Sequence, residues 1–454
     1  MSRHGTLRDP PAPLRAAESS STAIDLTGST GSQHGRRRLW LGLNMLGLAL
    51  ALLPTLLRIG GSIATNDGWE YEAAEWLINN RGGGTRRGLA GDLLLSVPGL
   101  TAQAAVVLTV TVLLVAVTVG FAWLVRSAIR RSGSGWPLLL WLLPGGLVLG
   151  TLQANLHGMS QSATSFAVRK EYLFLALLLA VVLTATYRPG RRAWWGSAAA
   201  GAVLCGAGAL VHEALAFVTA VILTYFLLRI HPAPPTSAIT IRRPGSPGRF
   251  VVPVALLLLA PVTLALGLVG ALDAGVQADY RGAWAAVDSG TRAWLSVPTV
   301  HVWGADAGFP APFWWLTAQP SDAVEWLVRD YLQTGLWLPW LIVAIIVPLW
   351  AFVGATLIDS TRRARVGHLT TIAVVLGAFV PLWLLSVDWG RWITLAGVFI
   401  AILILGQTVF TGRAARPAPA TVRVRIVAGA LILTSLAVTV PVAGGEFWLA
   451  RLLT

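Results

Sequence analysis

The sequence predicts an all-α, polytopic integral membrane protein with about 11 transmembrane helices and additional amphipathic helices in its outer loops. Three observations indicate this fold class. Of the 454 residues, 55% are hydrophobic and only 12% are charged, roughly half the charged fraction of a soluble globular chain. Apolar runs long enough to cross a bilayer recur along the chain. Finally, the arginines cluster in alternate connections between these runs, as they do in the cytoplasmic loops of membrane proteins.

The chain divides into a short tail and one membrane domain. Residues 1–38 are rich in Pro, Ser, Gly and Arg, which predicts a disordered cytoplasmic tail. Residues 39–454 are predicted to form a single transmembrane domain. The predicted spans are 39–57, 102–125, 136–152, 171–187, 195–211, 214–230, 251–271, 336–356, 368–386, 393–411 and 426–442. The predicted outer loops are 58–101, 153–170, 272–335 and 387–392. The apolar stretch 195–230 is too long for one helix, so a turn is predicted at His212-Glu213.

The distribution of charge predicts the orientation. With these spans, 23 of the 34 basic residues fall on one side of the membrane and 16 of the 20 acidic residues on the other. The basic side is therefore predicted to be cytoplasmic, together with the N terminus. The net charge of +14 is then explained by topology, and no nucleic acid partner is implied. The lone Cys205 excludes an intrachain disulfide.

The first outer loop holds the richest group of polar residues. Asp67 is a candidate base or cation ligand, or else only the N-cap of the amphipathic helix predicted over 68–79. That helix would lie at the membrane interface with its tryptophans as anchors. Arg86 and Arg87 follow in the glycine-rich segment 82–91. Free amides and guanidinium groups predict binding of an anionic headgroup, and the alternative is unspecific contact with lipid phosphate.

Two further outer turns carry ionisable residues. Arg169 and Lys170 precede the fourth predicted span, where cations oppose the helix dipole. An anionic partner would explain them, and so would snorkelling to lipid phosphate. His212 and Glu213 lie between apolar runs, where they could act as base and orienting group or form a satisfied turn. Ala216 stands where a second histidine would complete an HExxH zinc motif, so a zincin-type metalloprotease is excluded.

The longest outer loop, 272–335, combines tryptophans with acidic residues. Aromatic rings that stack on sugars and carboxylates that accept hydroxyl groups predict a sugar-binding surface, in which Trp303 is one candidate. Anchoring of each tryptophan at the membrane interface is the alternative. A second amphipathic interfacial helix is predicted over 321–332.

The last outer loop is a tight turn that contains Asp388, Trp389 and Arg391. Arg391 is predicted to point into an outward cavity while Asp388 positions it. The two residues could instead only pair with each other.

A resemblance arises from the segment Asn66-Asp67-Gly68-Trp69-Glu70-Tyr71 after the first span. An acidic residue there, followed by an interfacial helix, resembles the GT-C superfamily of polytopic glycosyltransferases, which use polyprenyl-phosphate sugar donors. Gly68 stands where the superfamily usually has a second acidic residue. The arginines Arg86, Arg87, Arg169 and Arg391 look more like those of O-antigen polymerases and ligases.

The resemblance implies an inverting transfer of a sugar from a polyprenyl-(pyro)phosphate donor to a glycan or lipid acceptor. It implies the bacterial plasma membrane as the location, with the active side extracytoplasmic. No cofactor is firmly implied, although a divalent cation, Mg²⁺ or Mn²⁺, stays open. The alternatives left open are a lipid-linked polysaccharide polymerase or ligase, a transporter or flippase, and a non-catalytic envelope assembly protein. The expected site residues are catalytic Asp67, His212 and Glu213; donor-phosphate-binding Arg86, Arg87, Arg169, Lys170 and Arg391; and substrate-binding Glu70, Tyr71, His157, Asp388, Trp389 and Trp303.

Overall fold

The fold was examined in a computed structural model of the chain. The structure describes residues 70–82, 87–132, 169–187, 191–230, 280–295, 327–333, 337–385 and 389–410, with isolated positions between 35 and 46, 254 and 265, 313 and 325, and 421 and 430. Within these residues the protein is all-helical and contains no β-strand. The all-α class is therefore confirmed for the described part of the chain.

The described helices fall into three groups along the chain. Two short helices come first, α1 (Glu70–Trp76) and α2 (Leu89–Leu95), and then the long helix α3 (Ala102–Ser132). A second group is α4 (Glu171–Tyr187), α5 (Arg191–Ala209) and α6 (Glu213–Arg229). The third group begins with the short helices α7 (Tyr280–Ala285) and α8 (Ser289–Leu295), and ends with α9 (Trp337–Ile358), α10 (Arg362–Leu385) and α11 (Trp389–Phe410).

The helix α11 lies at the centre of the bundle. It packs against α3, α4, α9 and α10, and its described side chains from Trp392 to Val409 are buried on every face. A helix that is apolar all round belongs in such a position. Small residues allow close approach: Gly406 of α11 lies against Val182 and Phe226, where a larger side chain would collide.

The helix α3 lies at the edge of the bundle. One of its faces is apolar and exposed, and the residues on it recur every three or four positions. They are Leu108, Val112, Val115, Val119 and Trp123. An exposed apolar face of this kind is found where a helix contacts lipid or another protein.

Within the part of the chain that the structure describes, two helical segments are long and apolar enough to cross a bilayer, Ala102–Arg130 and Arg362–Leu384. They coincide with predicted spans. The predicted spans 171–187, 195–211, 214–230, 336–356 and 393–411 are also helical; that these cross a membrane remains a prediction. Apart from isolated helical positions, the predicted spans 39–57, 136–152, 251–271 and 426–442 lie outside the described residues. The total of 11 spans is thus not established.

The predicted turn at His212-Glu213 is confirmed, because α5 ends at Ala209 and α6 begins at Glu213. The two helices form a hairpin. At the end away from the turn, Trp194 Nε1 of α5 donates a hydrogen bond of 2.9 Å to the carbonyl oxygen of Leu227 in α6.

The two amphipathic helices predicted in the outer loops have different outcomes. The first, predicted over 68–79, is shorter at its C-terminal end: α1 covers Glu70–Trp76, and residues 73–79 are all buried in the protein, Glu75 included. Because α1 packs against α3 and α8, the side of this helix that carries Glu75 is covered by protein. The second, predicted over 321–332, is helical at every described position: residues 321, 324 and 325 are α-helical, and Leu327–Leu332 form a π-helical turn.

Candidate functional site

Buried ionisable side chains collect at one end of the bundle, where α4 begins and the α5–α6 hairpin turns. Helix α1 and Arg87, two residues before α2, complete this end. We call the group the Lys170 cluster. Its members are Glu75, Arg87, Arg169, Lys170, Glu171, His212 and Glu213. Ionisable groups in such numbers at the end of an apolar bundle mark a candidate functional site.

Arg87 and Glu213 form the strongest contact of the Lys170 cluster. The Nε of Arg87 donates to both carboxylate oxygens of Glu213, at 3.0 and 2.8 Å, and Nη2 donates to Oε1 at 2.7 Å. The two side chains are 24% and 11% exposed. A bidentate guanidinium–carboxylate pair fixes orientation as well as distance. It therefore ties Arg87, two residues before α2, to the first turn of α6.

The backbone of Arg87 is strained. Its φ of 68° lies in the left-handed region, which residues other than glycine seldom adopt. The ion pair with Glu213 holds it there, and next to it Leu89 N donates to the carbonyl oxygen of Leu210 at 3.3 Å. Strain of this kind persists only where surrounding contacts determine the conformation.

Lys170 is fully buried immediately before α4. Its Nζ lies 3.4 Å from the carbonyl oxygen of Arg87 and 3.5 Å from that of Val211. Burial lowers the pKa of Lys170 to about 8; the nearby Glu75 carboxylate opposes that effect and Arg87 adds to it. The sequence predicted an anionic partner for Lys170, and carboxylates of the protein itself are among its partners.

His212 lies in the turn between α5 and α6 and caps the latter. Its Nδ1 accepts a long hydrogen bond, 3.4 Å, from Leu215 N. The side chain is 2% exposed, and its Nε2 has no hydrogen-bond partner within the described part of the chain. Its ring meets that of Trp392 edge-on, with 6.2 Å between centroids. Burial and then the Arg87 charge lower the pKa of His212 to about 3, so the imidazole is neutral at physiological pH.

Glu75 and Glu171 supply the remaining negative charge. Glu75 is 6% exposed, and its Oε2 has no hydrogen-bond partner among the residues that the structure describes. Glu171 is fully buried in the first turn of α4, where a carboxylate favours the helix dipole. Together with Glu213 these make three acidic side chains. They equal in number the basic side chains Arg87, Arg169 and Lys170, so the formal charges of the Lys170 cluster cancel when His212 is neutral.

Acid should destabilise the fold through His212. Because its pKa is lower in the folded than in the unfolded chain, the unfolded state binds the extra proton, and stability falls as the pH drops from about 6.5 towards about 3. Asparagine keeps a capping oxygen but does not titrate. We therefore expect the free energy of unfolding of His212→Asn to fall less steeply than that of the wild type.

Thermal unfolding in detergent micelles between about pH 7 and about pH 4 measures this difference. Carboxylates titrate over the same range in both proteins, so the difference between the two curves isolates the histidine. Parallel curves would contradict the depressed pKa.

The turn after α1 is held in place by side-chain amides and close glycine contacts. Asn79 Nδ2 donates to the carbonyl oxygen of Ala283 in α7 at 2.8 Å. The backbone and side chain of Asn80 donate to Asp92 of α2 at 2.9 and 2.7 Å. A Cβ on Gly82 would collide with the backbone of α7, and one on Gly91 would collide with the carbonyl of Ile78. These two glycines of segment 82–91 thus serve close packing.

The long outer loop contributes a helix cap. Asp288 Oδ2 accepts a hydrogen bond from Ala102 N at 3.2 Å, and Thr291 Oγ1 accepts one from Gln103 N at 3.1 Å. Burial alone would raise the pKa of Asp288, but hydrogen bonds from Thr291 and Ala102 outweigh it and the pKa is lowered. Helix α8 therefore caps the start of α3.

The structure brings five of the predicted site residues together: Arg87, Arg169, Lys170, His212 and Glu213. The side chains of four others belong to described helices, but their placement lies outside the description: Glu70, Tyr71, Trp389 and Arg391. The remaining five lie outside the described residues altogether: Asp67, Arg86, His157, Trp303 and Asp388.

Glu75 was not predicted as a site residue. The sequence places it between alanine and tryptophan, which suggested the exposed side of an interfacial helix. Trp392 at the start of α11 was not predicted either. The signal that could have found Glu75 is the run of small and apolar residues around it, Ala73-Ala74 and Trp76-Leu77-Ile78, since apolar residues on all sides of a carboxylate indicate burial.

The chain matches no family model, no curated protein sequence and no solved structure. Within the described residues, no three His, Cys, Asp or Glu side chains are grouped so as to hold a metal ion.

Proposed function

We propose that the chain is a polytopic glycosyltransferase of the bacterial plasma membrane, with about 11 spans and a cytoplasmic N terminus. It would transfer a sugar from a polyprenyl-(pyro)phosphate donor to an envelope glycan or lipid on the extracytoplasmic face. The Lys170 cluster is the site of the reaction in this proposal. Asp67, Arg86 and Arg391 stay part of it as predicted.

The observation that carries the proposal is a pair of buried polar atoms. Oε2 of Glu75 and Nε2 of His212 have no hydrogen-bond partner among the described residues. Both side chains interact electrostatically with Lys170. Buried polar atoms without a partner are costly, and they are found where water or a ligand completes them. A base close to a cation suits a group-transfer reaction, because the base can take the proton of the acceptor and the cation can stabilise an anionic leaving group.

The chemistry follows from these groups. The acceptor hydroxyl oxygen attacks the anomeric carbon while the bond from that carbon to the donor phosphate oxygen breaks. The bonding pair leaves with the lipid phosphate, whose charge Lys170 and Arg169 stabilise. The hydroxyl proton passes to Glu75 or His212. His212 is a weak base when the site is empty. The negative charge of a bound phosphate would raise its pKa, so binding of the donor would make His212 a stronger base.

Sugar transfer by purified variants tests the proposal. The probe is a polyprenyl-monophosphate hexose with a radiolabelled sugar, incubated with membranes that supply the acceptor. We expect Glu75→Gln or His212→Asn to lower the rate by about 10²–10⁴-fold, the usual contribution of an acid–base group. Glu325→Gln is the matched control, because Glu325 is exposed. Rates of both variants within a few-fold of this control, with the folded fraction unchanged, would rule out these residues as the base.

A second candidate function is non-catalytic assembly in the cell envelope. The balanced charges of the Lys170 cluster and the engagement of Arg87 by Glu213 favour it, because both are what a structural ion-pair network requires. The same assay distinguishes the two: an assembly protein gives no labelled product in the wild type, and its cluster variants change stability alone.

A further inference from the structure

A second group of polar side chains lies at the opposite end of the bundle, between α6, α10 and α11. We call it the His368 cluster. Its members are Tyr225, Arg229, His368, Thr371 and Gln407. By the arginine distribution this is the predicted cytoplasmic end. Nothing in the proposed transfer reaction uses it.

His368 is buried without a partner. It is 5% exposed on α10, and neither Nδ1 nor Nε2 makes a hydrogen bond to any described residue. A neutral imidazole carries one donor and one acceptor nitrogen. Leaving both unsatisfied inside a helical bundle is costly, so the ring needs a partner that the described residues do not provide.

The neighbouring hydroxyls make their described hydrogen bonds to other groups and not to His368. Thr371 Oγ1 donates to the carbonyl oxygen of Gly367 at 2.9 Å and pairs with Tyr225 Oη at 2.9 Å. Gln407 Nε2 donates to the same Thr371 oxygen at 3.1 Å. This network closes on itself and leaves His368 outside.

Arg229 supplies a cation beside the ring. Its guanidinium lies directly over Gly367, so a Cβ at that glycine would collide with Nη2. Arg229 is exposed, and no described carboxylate lies within ion-pair distance of it. Asp359 and Arg229 are the charged groups that act on His368. Asp359 Oδ1 accepts from Thr361 N at 3.0 Å, so it is used in the turn before α10.

We propose that His368 and Arg229 form a binding site for a phosphate group at this end of the bundle. The guanidinium would pair with two phosphate oxygens, and the imidazole N–H would donate to one of them. Exposed Arg362, Arg363 and Arg365 begin α10 and would attract an anion to the same end. Two sources share this chemistry: the headgroup of a phospholipid in the adjacent leaflet, and free phosphate from the aqueous side.

Native mass spectrometry of the purified full chain tests the site with three probes. These are phosphatidylglycerol, diacylglycerol with the same acyl chains, and inorganic phosphate. We expect the wild type to retain phosphatidylglycerol at least about tenfold more tightly than diacylglycerol. If the protein retains inorganic phosphate and not the lipid, the phosphate-binding site is still supported, and its ligand is the free anion.

Variants connect the binding to these residues. His368→Phe keeps a ring of similar volume, and Arg229→Gln removes the cation; each should weaken retention about tenfold. The matched control is Arg126→Gln, since Arg126 is an exposed arginine on α3 that lies over Trp123 at 5.7 Å. The proposal is overturned if both variants retain the probes as the wild type does, or if the control loses as much.

A spectroscopic measurement covers the case in which His368→Phe fails to fold. Nitrogen NMR of wild-type protein with labelled histidine should show one ring-nitrogen resonance shift on addition of phosphatidylglycerol or inorganic phosphate, and that resonance should not shift in Arg229→Gln. No shift with either probe would overturn the site. A failed sugar-transfer assay has no bearing on this result, because the two sites lie at opposite ends of the bundle.

Discussion

Replacing Glu213 by glutamine is expected to lower the free energy of unfolding by about 3 kcal/mol, the lower end of the range for breaking a buried ion pair. The carboxylate receives three hydrogen bonds from Arg87, and a neutral amide cannot balance the guanidinium. The backbone strain of Arg87 at φ 68° is a cost in the wild type as well, and in the variant no ion pair offsets it. Unfolding by denaturing detergent, followed by circular dichroism, measures the change.

A double variant removes both the unpaired cation and the backbone strain. Glycine adopts positive φ without steric cost, so Arg87→Gly combined with Glu213→Gln removes the unpaired cation and relieves the backbone. We expect this double variant to be more stable than Glu213→Gln alone. Exposed Glu325 again provides the control, and a loss no greater than that of Glu325→Gln would contradict a stabilising pair.

Replacing Gly91 by alanine is expected to destabilise the protein, although glycine to alanine within a helix normally stabilises it by about 0.8–1.0 kcal/mol. The added Cβ would meet the backbone carbonyl of Ile78, and the backbone cannot move aside as a side-chain tip can. Overpacking costs about 1–3 kcal/mol, so the sign of the effect should reverse. The same displacement would separate α2 from the turn after α1 and disturb Arg87.

Gly206 of α5 is the matched control for this reversal. It is also a helical glycine, but a Cβ there meets nothing within 4 Å. Gly206→Ala should therefore show the ordinary gain, measured by the same unfolding experiment. If Gly91→Ala is as stable as Gly206→Ala, the tight contact between α2 and the turn at Ile78 does not exist.

The fold could be read from the sequence where the hydrophobic pattern is long and unbroken. Apolar runs predicted α4, α9 and α11 within a few residues, and His212-Glu213 between two such runs predicted the hairpin turn correctly. Short helices were harder, because a stretch of seven residues has too few turns for its periodicity to distinguish a protein-facing side from a membrane-facing one. Helix α1 is the example: Glu75 was assigned to an exposed face and is buried.

The site could be predicted only in part for a different reason. Arg169, Lys170, His212 and Glu213 stand out because ionisable residues beside apolar spans are conspicuous. Which groups meet is a property of packing: Arg87 and Glu213 are 126 residues apart in the chain, and no local pattern joins them. Arg87, one of the arginines expected to hold a phosphate, makes a bidentate contact with a carboxylate of the protein.

The central position of α11 has a mechanical consequence. Trp392 near its start touches the His212 ring, and Gln407 near its other end bonds to Thr371. The intervening 15 residues span about 22 Å at 1.5 Å per residue. Because the described side chains of this helix are buried on all faces, neighbouring side chains leave it no room to bend, and we expect it to move as a rigid body. A shift of the helix along its axis would then displace Trp392 and Gln407 by the same distance, at opposite ends of the bundle.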